Sequence, residues 1–230
     1  MRFGPPKPTF INTYSLDFDG MDDYVDLTSS VDLGINSTIS AWIKRSDIYN
    51  YDTITGESSY SLGTGIYIYQ HQRVRVMIGS VIHNWYSFNG FGILNQANTW
   101  IHLAFVRQGD DATLYLNGSS VGLKSGYGTS ITTKFDRIGA FGSSGASPVF
   151  GNLDEVVGFD RAVTPAEIVT LSTAPTVDIS SLNPLAWYRM GEKATYDGTN
   201  WTLIDQGSGG NNATSANMDL IDRKLDTPPS

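Results

Sequence analysis

Carboxylates are the residues in this sequence that could do chemistry. The chain has 19 Asp but only four Glu, at positions 57, 155, 167 and 192. Two carboxylates can cleave a glycosidic bond when they lie about 5–5.5 Å or about 6.5–9.5 Å apart. The four Glu are isolated, and the adjacent Asp154 and Glu155 should point to opposite faces of a strand. The sequence therefore predicts no catalytic carboxylate pair.

Nucleophilic catalysis has equally little support. The chain has no Cys, so thiolate catalysis is excluded. His71, His83 and His102 are scattered, and His102 falls in an apolar strand-like run where a core histidine is expected. A Ser-His-Asp triad is assembled in space, so residue spacing alone does not exclude one. We interpret the chain as a protein that is not an enzyme.

A second set of residues could bind a ligand. Residues 65–78 alternate in two runs and predict a hairpin, with its turn at 70–72 and pairs Tyr67–Arg75 and Tyr69–Arg73. Such a patch could stack on sugars, form a subunit interface, or serve cross-strand pairing alone. The predicted patch comprises Tyr67, Tyr69, Arg73, Arg75, Trp85 and Tyr86.

Short strands should position these residues. Residues 40–44 and 99–107 are apolar on both faces, which is typical of central strands. Asn117-Gly118 between strand-like runs predicts a type I′ hairpin. The single helix is predicted near 164–171, where Thr164 and Glu167 form a capping box. Many strands and one helix indicate an all-β, antiparallel β-sandwich.

Composition excludes several partners. The net charge is −8, so we expect no nucleic-acid binding, which requires clustered Lys and Arg. No run approaches the length of a membrane span, and the first ten residues do not form a signal peptide. Without Cys, the fold does not depend on disulfides.

Four ordered motifs resemble laminin-G-like domains of the concanavalin-A-like lectin/glucanase superfamily. Any one of them would be weak evidence, but their order along the chain is specific. They are residues 14–25 (YSLDFDGMDDYV), 38–43 (TISAWI), 100–107 with 114–118 (WIHLAFVR, LYLNG), and 151–156 with 161–168 (GNLDEV, RAVTPAEI).

The resemblance implies a jelly-roll sandwich with a structural Ca²⁺ ion. By resemblance, Asp19 and Asp154 would be its side-chain ligands, with Asp22, Asp23 or backbone carbonyls completing the shell. The alternative is that these Asp residues only form turns or bond backbone amides. The glycosidases of this superfamily commonly carry Glu-x-Asp-x-x-Glu on one strand, and this sequence lacks that pattern.

The C-terminal part matches the family out of order. Residues 184–214 resemble a segment that usually precedes the first motif. This segment could supply the missing first strand of its own sheet, donate it to a neighbouring subunit, or form a separate appendage. We divide the chain into an extended arm at 1–12, one sandwich at 13–221 and a tail at 222–230.

The arrangement of motifs and arms is similar to structural proteins of tailed bacteriophages. The sequence thus predicts a virion structural or decoration protein that acts as a homo-oligomer or with other virion proteins, assembled in the host cytoplasm. The alternative is a calcium-dependent carbohydrate-binding module that attaches to glycans or host surfaces. A glycoside-active enzyme is the third interpretation.

Overall fold

The strands follow one another through most of the chain. The structure is a computed structural model, and it describes residues 10–59, 63–86, 92–173 and 177–229. Within these ranges it contains one α-helix, α1 (Pro165–Thr173), and the following strands: β1 (Ser15–Asp19), β2 (Tyr24–Gly34), β3 (Asn36–Arg45), β4 (Tyr51–Gly56), β5 (Thr64–Tyr69), β6 (Arg73–Ile78), β7 (Val81–Tyr86), β8 (Trp100–Gln108), β9 (Asp111–Leu116), β10 (Ser119–Ser125), β11 (Thr133–Ile138), β12 (Phe150–Phe159), β13 (Ala186–Tyr188), β14 (Thr195–Tyr196), β15 (Trp201–Leu203), β16 (Ala213–Ala216) and β17 (Arg223–Lys224).

Two antiparallel sheets form a sandwich, which confirms the predicted fold class. The first sheet has the order β10-β9-β8-β3-β12-β1-β17, and β13 also pairs with β12. The second sheet has the order β14-β15-β16-β2-β11-β4-β5-β6-β7. The main hydrophobic core combines side chains from both sheets, such as Phe105 of the first and Ile66 of the second.

Residues 40–44 and 100–107, which are apolar on both faces, lie in central strands, as their pattern predicts. Strands β3 and β8 are neighbours in the middle of the first sheet. One of their faces contacts the main core, and the other is covered by α1 together with Ile179 and Trp187. Ala104 and Val106 on this outer face pack with Ile168 and Leu171 of the helix. A strand buried on both faces needs apolar residues at every position.

Local sequence signals also placed the turns and the helix correctly. Asn117 and Gly118 both have positive φ (45° and 79°) between β9 and β10, as a type I′ turn requires. The Glu167 amide donates to Thr164 Oγ1 (3.3 Å), and the Thr164 amide donates to Glu167 Oε2 (2.7 Å). This reciprocal pair is the predicted capping box, and α1 begins at Pro165.

The C-terminal strands pair with earlier strands of the same chain. β13 lies against β12, β16 lies against β2, and β17 lies against β1. The tail beyond β17 packs as well, since Trp100 Nε1 donates to Asp226 Oδ1 (3.1 Å). Residues 1–9 of the predicted N-terminal arm lie outside the described residues. None of the helices in the described ranges has the length and apolarity needed to cross a membrane.

Candidate functional site

The predicted Tyr and Arg side chains share the outer face of the second sheet. Strands β5 and β6 form the expected hairpin, with Tyr67 opposite Arg75 and Tyr69 opposite Arg73. Strand β7 adds Tyr86 opposite Arg73. We call these five residues the Tyr–Arg patch. Alternation along each strand places them on the face opposite to Ile66, Ile68 and Val74, which lie in the core.

The two arginines of the patch stack on the aromatic rings. Arg73 Cζ lies 3.8 Å from the centre of the Tyr69 ring and 5.5 Å from that of Tyr86. Arg75 Cζ lies 4.7 Å from the Tyr69 ring, and Arg75 Nε donates to Asn84 Oδ1 (3.2 Å). Cation–π contacts of this kind restrict both partners, so the surface is pre-organised.

The structure does not bring Trp85 into the patch. Trp85 is only 3% exposed, and its indole contacts Phe105 in the core while Nε1 donates to the Gly122 carbonyl (2.9 Å). Successive residues of a strand face opposite sides. Because Tyr86 faces outward, its neighbour Trp85 faces inward, and sequence proximity to the patch was misleading.

Two further aromatic residues complete the site and were not predicted. Tyr51 on β4 is 40% exposed and donates from its hydroxyl to the Tyr69 hydroxyl (3.0 Å). The Phe141 ring meets the Tyr67 ring edge to face, with 5.5 Å between centres. Together they enclose a shallow depression of about 230 Å³, lined by Tyr51, Tyr67, Tyr69, Arg75, Met77, Ile82, Phe141, Ala146 and Ser147.

A pair of glycines lets the rings lie close to the sheet. Gly56 and Gly65 are register partners on β4 and β5. A Cβ on Gly65 would lie 2.3 Å from the Tyr67 hydroxyl oxygen, and one on Gly56 would lie 2.7 Å from Phe141. The aromatic rings therefore cover the bare backbone, and this depends on the absence of side chains at both positions.

The hydrogen bond between Tyr51 and Tyr69 polarises the depression. Because Tyr51 donates to it, and because Arg73 and Arg75 lie nearby, the pKa of the Tyr69 hydroxyl is lowered. The same bond raises the pKa of Tyr51. The Tyr69 hydroxyl is therefore the more acidic of the two, and the guanidinium groups supply further donors beside it.

The predicted calcium ligands divide into two places. Carboxylate oxygens of Asp19, Asp22 and Asp23 lie within 4.8 Å of one another in the loop between β1 and β2. Asp154 lies elsewhere on the first sheet, because Asp19 pairs with Phe150, four residues earlier on β12. At about 3.3 Å per residue, that places Asp154 about 13 Å along the strand.

The Asp19–Asp23 loop is ordered by its own carboxylates. Asp19 Oδ1 accepts from the amides of Met21 (2.8 Å) and Asp22 (3.2 Å), and Asp23 Oδ2 accepts from the Asp19 amide (2.9 Å). Burial, together with the charges of Asp19, Asp222 and Asp22, raises the pKa of Asp23 to about 7. A cation here would offset that repulsion, so the residues fit a hard metal ion.

The prediction that Asp154 and Glu155 point to opposite faces of a strand is wrong. Leu153 and Val156 both contact the main core, so the two carboxylates between them lie on the same outer face. A β-bulge causes this: the register with β3 shifts between Asp154 and Val157, and Glu155 has φ of 48°. Adjacent residues share a face at a bulge because it inserts one extra residue.

Residues 10–14, which we call the N-terminal segment, cover these two carboxylates. Asn12 Nδ2 donates to Asp154 Oδ2 (2.7 Å), and Glu155 accepts from Arg189 Nε (3.1 Å) and Trp187 Nε1 (2.5 Å). Burial is the main cause that raises the pKa of Asp154 well above its usual value and that of Glu155 to about 7. Buried in this way, they hold the segment in place and offer no open surface to a substrate.

A cleft of about 640 Å³ lies beside this cluster. Phe10 stacks on Trp187 at its rim, with 5.8 Å between ring centres. Glu192 Oε1 accepts from the amides of Thr13 and Tyr14. The cleft contains no side chain of the predicted patch, and two of its polar residues, Arg189 and Glu192, tie the N-terminal segment to the body.

Comparison with protein families identifies the fold as a known one. Residues 19–169 match the profile described as the concanavalin A-like lectin/glucanases superfamily. The chain belongs to this superfamily, which confirms the resemblance of its four motifs. A search of curated proteins finds no significant match.

Solved structures share the fold at low sequence identity. A candidate carbohydrate-binding protein of Bacteroides ovatus superposes with a TM-score of 0.69 at 18% identity over 95% of this chain, which spans only 61% of that protein. A heptameric SAP-like pentraxin of Limulus polyphemus gives 0.58 at 14% identity, covering 72% of this chain and 84% of the pentraxin. The sialidase module CBM40 of Ruminococcus gnavus, bound to α2,3-sialyllactose, gives 0.50 at 10% identity, covering 71% and 98%.

Proposed function

We propose that this chain is a non-catalytic carbohydrate-binding module and that its depression on the second sheet holds the sugar. The observation that carries the proposal is the Tyr–Arg patch, extended by Tyr51 and Phe141 around one shallow site. The proteins named for carbohydrate binding that share this fold support the same interpretation. The virion role predicted from the sequence stays a prediction.

The chemistry of the depression suits a sugar ring. Pyranose rings have an apolar C–H face that packs on aromatic rings and a rim of hydroxyls that need hydrogen bonds. Tyr51, Tyr67 and Phe141 supply the aromatic surface, and Arg75 and Tyr69 supply donors and an acceptor at its edge. A few polar groups around an apolar surface are typical of ligand sites.

Replacing Tyr69 with alanine should weaken glycan binding by at least about tenfold, or about 1.4 kcal/mol. The change removes the ring on which both arginines stack, and it also removes the partner of the Tyr51 hydroxyl. A glycan array finds the ligand, and titration calorimetry then compares the variants Tyr67→Ala and Tyr69→Ala with the unchanged protein.

The matched control is Tyr115→Ala. Tyr115 is also a partly buried strand tyrosine, but it packs on the outer face of the first sheet. Its removal should leave binding unchanged. Equal affinity in Tyr69→Ala and the unchanged protein would contradict the proposal. If sedimentation instead shows an oligomer that Tyr69→Ala dissociates, the patch is a subunit interface.

We further propose that the Asp19–Asp23 loop binds a structural Ca²⁺ ion, without Asp154. The support is the three converging carboxylates, Asp19, Asp22 and Asp23, and the raised pKa of Asp23. This loop shares no residue with the depression, so we expect Ca²⁺ to stabilise the fold without contacting the sugar. Glycan affinity should therefore be the same in calcium and in a chelator.

Stability should depend on pH and Ca²⁺ through Asp23. Its folded pKa of about 7 exceeds the usual 3.8, so the folded state binds the proton more tightly, and stability is lost as the pH rises through about 7. We expect about 1–3 kcal/mol less stability at pH 8 than at pH 5 without metal, and a gain from Ca²⁺ at pH 8 only.

Thermal denaturation of Asp23→Asn tests this. The amide can still accept from the Asp19 backbone, but it cannot ionise, so both the pH-dependent loss and the Ca²⁺ response should disappear. Asp160→Asn, at an exposed position, serves as the control and should behave like the unchanged protein. If Ca²⁺ leaves the melting temperature of the unchanged protein the same at pH 8, the loop binds no calcium.

A further inference from the structure

Two guanidinium groups meet at the Tyr69 ring without a counter-charge. Arg73 Cζ and Arg75 Cζ lie 3.8 and 4.7 Å from the centre of this ring. Within the described ranges, the ion pairs of the protein involve other basic residues, and neither of these arginines contacts a carboxylate. Two neighbouring arginines without an acidic partner are unexpected in a protein whose net charge is −8, and they call for an explanation.

Their polar contacts are also incomplete. Arg75 uses Nε on Asn84, and Arg73 Nη1 makes a long contact of 3.4 Å with Gln72. Arg73 Nε is buried and has no hydrogen-bond partner among the described residues. A guanidinium carries five donors in a fork that matches a carboxylate. The two terminal nitrogens of Arg75 make no hydrogen bond among the described residues, so their donors are available to a ligand.

The arginines stand at the edge of the aromatic depression. Arg75 lines it together with Tyr51, Tyr67 and Tyr69, while Arg73 contacts Tyr69 and Tyr86 just beside it. A sugar ring that packs its C–H face on the tyrosines would therefore turn its own edge toward the guanidinium groups. A carboxylate on that edge would form charge-assisted hydrogen bonds with the two guanidinium groups. These bonds are stronger than those that a neutral hydroxyl would form at the same place.

We propose that the depression selects sugars that carry a carboxylate on the pyranose ring, that is, uronic or sialic acids. This inference rests on the proposed carbohydrate-binding function. The tyrosines bind the ring, and Arg75, with Arg73 beside it, binds the acid group. Opposite charges across a partly desolvated site attract strongly, and the two guanidinium groups give this otherwise acidic protein a local positive surface for an anion.

Titration calorimetry with matched ligands tests the inference on the unchanged protein. One pair is tetragalacturonate against its methyl ester, and the other is 3′-sialyllactose against lactose. We expect the acid of at least one pair to bind at least tenfold more tightly than its neutral partner, and the responding pair identifies the source of the carboxylate. This preference should shrink in 1 M NaCl, where the screening length falls to about 3 Å.

Charge-neutral variants assign the preference to residues. Arg75→Gln should reduce the ratio of acid to neutral affinity at least fivefold, and Arg73→Gln should reduce it less. Lys193→Gln, at an exposed position beside the separate cleft near Trp187, removes the same charge and should change nothing. Melting curves check that each variant is folded.

The outcomes separate the two proposals. If each acid and its neutral partner bind with equal affinity and Tyr69→Ala abolishes both, the carbohydrate site stands and the preference for acids is wrong. If no glycan of either pair or on the array binds, the proposed function and this inference both fall. If the acids bind better but Arg75→Gln retains the full preference, the assignment to the Tyr–Arg patch is overturned.

Discussion

Replacing Asp52 with alanine is expected to destabilise the protein by about 3–5 kcal/mol. Asp52 and Arg45 form an ion pair in which Asp52 is fully buried and Arg45 is 1% exposed. Arg45 Nε donates to Asp52 Oδ2 (2.5 Å), and the variant would leave the guanidinium buried without its counter-charge. The large effect is the cost of that stranded charge.

The pair also joins separate parts of the sandwich. Arg45 ends β3 in the first sheet, and its remaining nitrogens donate to the carbonyls of Asn50 and Gln70 (both 3.1 Å). Asp52 lies in the second sheet, and its Oδ1 accepts from the Phe150 amide (3.0 Å). Gln70 lies in the turn of the hairpin that carries the Tyr–Arg patch, so this variant should also loosen the candidate site.

Burial still raises the pKa of Asp52 despite the adjacent Arg45. The intact ion pair therefore adds little to the free energy of unfolding. The large cost arises only when one partner is removed and the other charge stays buried. Replacing both partners by apolar residues (Arg45→Met with Asp52→Leu) should consequently cost less than Asp52→Ala alone. A double variant that is less stable than the single one would contradict this explanation.

Chemical denaturation monitored by tryptophan fluorescence measures these differences. The control is Asp17→Ala, which breaks the partly exposed contact between Lys224 and Asp17 (3.3 Å). Because solvent screens exposed pairs, we expect it to cost less than about 1 kcal/mol. If Asp17→Ala and Asp52→Ala have equal effects, burial is not the cause.

Replacing Trp201 with alanine should also cost about 3–5 kcal/mol, as for other buried aromatic residues. Trp201 on β15 is 1% exposed and lies in the main core. Its Nε1 donates to the Asp219 carbonyl (2.9 Å), and the Arg223 guanidinium lies 4.8 Å from its ring. The variant leaves a cavity that rigid neighbouring strands cannot fill.

The result of this variant tests how the C-terminal segment relates to the sandwich. If the segment is integral, Trp201→Ala should lower the single melting transition by about 10 °C, at about 2–4 °C per kcal/mol. If the segment were a separate appendage, the main transition would keep its temperature and a second one would move. Ile204→Ala, at a position 36% exposed in the same segment, is the control and should have little effect.

Local features of this protein were predictable from the sequence. The register of β5 and β6, the Asn117-Gly118 turn and the Thr164–Glu167 capping box each depend on residues within a few positions of one another. Steric preferences and short hydrogen bonds decide such features before the rest of the chain folds. The Tyr–Arg pairing, and with it half of the candidate site, followed from the same alternation.

Features that need distant partners were not predictable. Phe141 and Tyr51 reach the depression from other parts of the chain, and nothing near Tyr67 indicates them. The bulge at Glu155 is invisible to a period-two pattern, and it placed two carboxylates on one face that alternation had separated. Asp154 is not among the proposed calcium ligands, because the register of β1 and β12 places it far from Asp19. Sequence motifs do not reveal that register.

The sequence by itself determined the antiparallel sandwich, its hairpins and the absence of a Glu-x-Asp-x-x-Glu strand, because these are properties of neighbouring residues. Only the tertiary structure decided that Asp154 and Glu155 lie together beneath the N-terminal segment, and that the aromatic residues enclose a depression. Such contacts join residues far apart in the chain, and packing of the two sheets selects them.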